Sequence, residues 1–251
     1  MKYRKNFLSQ VVLRLDFLQV PGIAGERRPE LANLLSEQFP QVTPLQLAQI
    51  QFSIGPEQSA IDRKLTGYRW RMSSSDGNKL VDLTSDYISL TNLNRSFTNF
   101  DNFHAEFVRV YDLFEDQYKV PEFTRVGLRY INEVEIGEGS ALNWKGLLSN
   151  EVIQATFTTI PKEFKLSRAM HHFVASKDDV TLVTNFGLYN QDFPAPVVRK
   201  QFVLDFDCYI TGVVANDAML NRINELNKIC EVSFETSIDN KLRELMEVIN
   251  D

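Results

Sequence analysis

Along residues 11–18 (VVLRLDFL), Val11, Leu13, Leu15 and Phe17 alternate with Val12, Arg14 and Asp16. A period of two predicts a strand with one apolar and one charged face. From Pro29, Leu31, Leu34, Leu35 and Phe39 recur at helical spacing until Pro40 ends the run. A second strand is expected over 47–54, followed by a loop over 54–64. Tyr68, Trp70 and Met72 then alternate with Arg69 and Arg71, Asp76 and Gly77 supply a tight reversal, and 79–90 runs back as the partner strand. Phe100, Phe103, Phe107, Val110, Tyr111, Phe114 and Tyr118 predict an amphipathic helix with Asp101 accepting from its first free amides. Pro121 stops it, and 125–136 alternates again as a strand.

Gly137 and Gly139 mark the expected boundary between two halves, 1–137 and 138–251. In the second half, strands are expected over 152–160, 171–176, 180–189 and 200–210, the last two joined across a loop containing Pro194 and Pro196. Two helical patterns close the chain, one through Met219, Ile223 and Leu226, the other from Phe234 through Leu242 and Met246. Strands outnumber helices, and most neighbours are joined by turns too short for parallel crossovers. The expected class is α+β: a mainly antiparallel sheet with helices packed on one face, in two intimately packed halves. VVLRLDF also matches QFVLDFD (201–207) in pattern, a hint that the halves are duplicates.

Composition narrows the function classes. The chain of 251 residues is 43% hydrophobic and 24% charged, an ordinary globular balance. Its 27 basic and 33 acidic side chains give a net charge of −6, which disfavours a broad nucleic-acid-coating surface while leaving room for a local basic patch. Cys208 and Cys230 are the only cysteines, too few for a disulfide framework or a paired-cysteine zinc site, and reduced thiols in a cytoplasmic protein are expected. Gln10, Arg14 and Asp16 interrupt the apolar stretch after the basic N-terminus, so no signal peptide is expected. No membrane span is expected either, because no apolar window approaches about 18 residues. The glycines fall at turns without a nucleotide-binding spacing, and no cofactor is expected.

Three sets of residues carry candidate chemistry. Arg14, Arg69, Arg71, Arg125 and Arg129 each lie on the polar side of a strand, and neighbouring strands would converge them into a binding site for an anionic ligand or a nucleic-acid backbone. The competing expectation is an ion-pair network with Asp16, Asp82, Asp86 and Glu133. The second set is Asp205 and Asp207 with His171 or His172, the minimum for metal-assisted hydrolysis. Adjacent histidines on a strand point to opposite faces, so at most one could join. The third is an apolar loop, Phe193, Pro194 and Pro196, suited to a partner surface. His104 is expected to be exposed or capping, and Cys208 to be an inert core thiol.

The segments Leu13-Arg14-Leu15-Asp16-Phe17, Ser75-Asp76-Gly77, Leu83-Thr84-Ser85-Asp86-Tyr87-Ile88-Ser89-Leu90, Arg125-Val126-Gly127-Leu128-Arg129-Tyr130-Ile131-Asn132 and Leu204-Asp205-Phe206-Asp207 resemble a sporadically distributed bacterial family of about this length and uncharacterised function. The resemblance spans nearly the whole chain and brings no catalytic residues. It implies an accessory role of the kind found in phage-defence or toxin–antitoxin loci, and it places Arg125, Arg129 and Asn132 in a structural signature. The leading expectation is a non-catalytic cytoplasmic interaction or regulatory protein with a protein partner, one encoded by an adjacent gene, and with self-association as a homodimer. The alternatives are an anion or nucleic-acid binder on the arginine face and a metal-dependent hydrolase at Asp205 and Asp207.

Overall fold

A computed structural model describes residues 2–20, 22–23, 25, 27–54, 59–157 and 160–249. In chain order the elements are β1 (Lys2–Tyr3), β2 (Leu8–Asp16), α1 (Glu30–Leu34), β3 (Gln41–Ile54), β4 (Ser59–Ser73), β5 (Lys79–Leu83), β6 (Tyr87–Leu93) and α2 (Phe100–Tyr118). They continue with β7 (Glu122–Glu135), α3 (Asn150–Thr156), β8 (Ala169–Lys177), β9 (Val180–Leu188), β10 (Gln201–Ala215), α4 (Asn216–Ser237), α5 (Asn240–Met246) and β11 (Val248–Ile249). Among the described residues nine strands form one sheet in the order β3-β4-β5-β6-β2-β7-β10-β9-β8, and every pairing in it is antiparallel. The α+β class read from the alternation is the one the chain adopts.

The apolar phase of each central strand points to one side. Val11, Leu13 and Leu15 of β2, Val126, Leu128 and Tyr130 of β7, and Leu204, Phe206 and Cys208 of β10 are all buried there. The helices cover this side. On α2, Phe114 meets Phe17 at 5.4 Å between ring centroids and Tyr111 meets Phe123 at 6.0 Å. On α4, Met219, Ile223, Leu226 and Cys230 are buried where the helix packs on β7 and β10. No described helix is long and apolar enough to cross a membrane.

Connectivity repeats. β2 pairs with β6, the last strand of the meander that follows it, and α2 comes next; β7 pairs with β10, the last strand of its own meander, and α4 comes next. The two leading strands β2 and β7 pair with each other at the centre, Leu13 opposite Leu128. About that point Arg14 corresponds to Arg129, so the internal match is VVLRL (11–15) with VGLRY (126–130). The pattern match noticed in QFVLDFD belongs to β10, which holds the place of β6 and not of β2.

Five local expectations need correction. Residues 150–156 form α3 and not a strand, because Ser149 accepts a hydrogen bond from the Val152 amide and the β-branched Val152 and Thr156 share one buried helical face. Thr158 and Thr159 of that expected strand lie outside the described residues. The expected strand 79–90 is two: Thr84 Oγ1 bonds Asp86 and accepts from the Tyr87 amide, turning the chain between β5 and β6. The strand expected from residue 47 begins at Gln41, with Pro44 in the ladder opposite Trp70. Of the expected loop, residues 55–58 lie outside the described residues and Ser59 onward is β4. Finally, Asn99 caps α2, its side chain accepting from the Asn102 amide at 2.8 Å, where Asp101 was expected.

The accessible surface is 14609 Å². A compact monomer of this mass would show roughly 11,000 Å². The excess fits a broad sheet with helices on one face only.

Candidate functional site

Because the helices take one face, the alternate residues of the central strands come together on the other. Four arginines and four aspartates interlock there. Arg71 on β4 holds Asp82 on β5 with Nε at 2.8 Å and Nη2 at 2.7 Å. Arg14 clasps Asp16 two residues along β2. Arg125 on β7 bridges Asp16 at 3.6 Å and Asp207 on β10 at 3.3 Å. Arg129 grips Asp205 with Nε at 2.8 Å and Nη2 at 2.7 Å. The two bidentate pairs are the strong geometry for guanidinium and carboxylate, and they hold the Arg71 and Arg129 guanidinium groups above their ordinary range. The guanidinium of Arg14 also lies 3.8 Å from the Tyr87 ring centre, and that of Arg125 lies 4.5 Å from Tyr209.

The arginine set and the aspartate pair, separate candidates in the sequence, are therefore halves of one lattice. Of the acidic partners expected for the arginines, Asp16 and Asp82 take that role. Asp86 instead bonds Thr84, and Glu133 makes no ion pair among the described residues. Arg69 stands apart: among the described residues it has no ion-pair partner, and its Nε is buried without a hydrogen bond. Gly127 has a specific job here. A Cβ at that position would lie 2.5 Å from Arg125 Nη1, so only glycine lets that guanidinium lie across β7.

Asp205 is only 7% exposed at its side chain, and Asn185 of β9 donates to its Oδ2 at 3.0 Å. His172 of β8 extends the chain of bonds, with Nδ1 2.7 Å from Asn185 Oδ1. His171 points the other way and stacks on Phe186 at 5.4 Å. One histidine thus reaches the aspartates, but through an amide, and both Asp205 oxygens are already engaged. Burial raises the Asp207 carboxyl above its ordinary range, against the pull of Arg125 and Arg129. Among the described residues no three His, Cys, Asp or Glu side chains are grouped to hold a metal ion.

His104 is not simply exposed. Burial lowers its pKa, with Asp101 opposing, and its Nε2 is buried with no hydrogen-bond partner among the described residues. Cys208 and Cys230 are both buried, and bonding to Cys208 together with burial pushes the Cys230 thiol well up, away from nucleophilic use.

The exposed apolar surface lies elsewhere. Of the 17 exposed large hydrophobic side chains among the described residues, eight fall in the stretch 160–198. Three of these, Met170, Phe173 and Val174, lie on β8, an edge strand of the sheet. Seven of its nine residues are exposed, including Met170, Phe173 and Val174 at 37%, 51% and 58%. The loop with Phe193, Pro194 and Pro196 is exposed and adjoins the start of this edge: Asn190 Nδ2 donates to the Ser167 and Ala195 carbonyls, and Arg168 lies 4.2 Å from the Phe193 ring centre. A groove of about 440 Å³ between β8, β9 and α4, lined by Ala175, Leu182, Ile229 and Val232, continues the apolar surface. Sequence reasoning found the loop but not the edge, because strand order is set by non-local pairing.

No protein-family model matches the chain, and no curated protein matches it.

Proposed function

We propose that the chain is a non-catalytic interaction protein whose association surface is the β8 edge with the adjoining Phe193 loop. The observation that carries this reading is the edge itself. An exposed apolar strand offers a row of free backbone groups, which an incoming strand satisfies while alternate side chains set specificity. The chemistry on the bare sheet face supports the reading from the other side. Arg14, Arg71, Arg125 and Arg129 balance Asp16, Asp82, Asp205 and Asp207 one for one, so that of the five candidate arginines Arg69 alone lacks an acidic partner among the described residues, and one such side chain is no cationic cluster for phosphate. An accessory role in a defence or toxin–antitoxin locus rests on the family resemblance alone and is part of the same proposal.

The test is quantitative capture from the native host with the wild-type chain and with Phe173→Lys as baits. A partner retained by the wild type and lost by the variant supports the reading. Equal capture by both, or turnover of any substrate that one acidic or imidazole substitution removes without unfolding, contradicts it.

A further inference from the structure

The two edges of the sheet are protected unequally. β3 carries Pro44, which has no amide to donate, and its pairing with β4 shifts register between Leu47 and Ala48, where Thr66 of β4 is the extra residue; both discourage strand addition. β8 has neither. Its register with β9 is unbroken from Ala169 to Lys177, it contains no proline, and it has no Asp, Glu, Lys or Arg before Lys177. We infer that the occupant of this edge is a second copy of the same chain, added antiparallel through β8 about a two-fold axis at Phe173. This rests on the reading of β8 as the association surface and names its partner.

Two independent features select that register. The first is aromatic. Phe202, Phe186 and Phe173 form a row across β10, β9 and β8, with centroid separations of 6.4 and 5.5 Å and interplanar angles of 20° and 8°. The row stops at Phe173, whose outer side is open. A two-fold axis perpendicular to the sheet pairs only residues of equal parity, and the axis at Phe173 sets that ring beside its own copy, making the row continuous across both subunits.

The second is electrostatic. Arg168 precedes β8 and Asp178 follows it, and neither has an ion-pair partner among the described residues. Asp179, by contrast, is held by Arg222 at 2.6 Å. With the axis at Phe173, Arg168 of each subunit stands level with Asp178 of the other, at both ends of the paired strands. An axis at His172 would set Arg168 level with Ser176, and one at Val174 would set it level with Val180. Only one register therefore satisfies the charges and the ring row together, and it yields a single sheet running through both subunits.

The test combines solution mass with engineered cysteines. Multi-angle light scattering of the intact chain should give twice 28.9 kDa, and Phe173→Lys, which opposes two like charges on the axis, should give the monomer. Val174→Lys, whose side chain is largely exposed, is the second breaker should the loss of the Phe173 ring disturb folding. In the Phe173→Cys chain the two sulfurs face each other across about 5 Å of directly opposed strand, within disulfide reach. Mild oxidation should cross-link it at least ten-fold faster than His172→Cys or Val174→Cys, whose copies are diagonal. A monomeric wild-type mass overturns the second copy, as does a dimer that survives both lysine variants, or faster cross-linking at 172 or 174. The broader interaction reading falls only through the capture and turnover results, so the two failures are distinguishable.

Discussion

Arg129 and Asp205 are diagonal neighbours across the β7–β10 ladder, where Arg129 is opposite Asp207 and Asp205 opposite Ile131, and their bidentate pair is unequally buried: the arginine side chain is 43% exposed and the aspartate 7%. The asymmetry decides what each substitution costs. Removing the arginine strands a desolvated carboxylate with Asn185 as its one remaining donor. Removing the carboxylate's charge leaves an arginine that water can reach.

Arg129→Ala is therefore expected to destabilise the fold by about 3 kcal/mol, the low end for breaking a buried pair, and Asp205→Asn by about 1 kcal/mol. The double variant should recover part of the Arg129→Ala loss. Urea unfolding of the four chains in a double-mutant cycle measures this. Equal losses for both single variants would contradict the burial argument.

Gly127 predicts a change of sign. Alanine in place of glycine within a strand ordinarily gains about 0.5–1 kcal/mol. Here the new methyl would displace the Arg125 guanidinium from Asp16 and Asp207, so Gly127→Ala should lower the melting temperature. In an Arg125→Ala background the same substitution should raise it.

His104 predicts a pH dependence. Its folded pKa is depressed by burial, so as pH falls below its ordinary value of about 6.5 the unfolded chain takes up a proton that the folded chain resists. Stability is then unaffected above that pH and declines below it, down to the folded pKa. His104→Phe should flatten this part of the stability profile while the wild type slopes. Parallel slopes between about pH 6.5 and 5 would contradict it.

Gly187 controls the edge strand. It sits at φ +143°, and a Cβ there would collide with the Ala169 carbonyl on β8. Gly187→Ala should loosen the first residues of β8 without touching the centre of the sheet. Proteolysis or exchange confined to 169–172, with global stability lowered by less than about 2 kcal/mol, is the expected signature.

What could be read locally was read well. The alternation in VVLRLDFL and RVGLRYIN gave β2 and β7 and the phase of their buried faces, and the aromatic spacing gave α2. Where side chains redirected the backbone, periodicity misled. Thr84 and Asp86 turn the chain inside a continuous apolar pattern, and Ser149 starts a helix under β-branched residues. The arginine lattice was half legible: arginines on polar phases are visible in sequence, but which aspartates meet them depends on β7 lying between β2 and β10. The β8 edge was invisible for the same reason, since any strand of that composition could have been central.

The central claim is that β8 is an occupied edge in solution, and residue-resolved amide hydrogen exchange tests it most directly. The amides of 170–176 that point away from β9 should exchange slowly in the wild type and rapidly in Phe173→Lys, with β9 and β10 equally protected in both. If those outward amides exchange as fast in the wild type as in the variant, the edge is bare in the isolated chain and the second copy on β8 is contradicted.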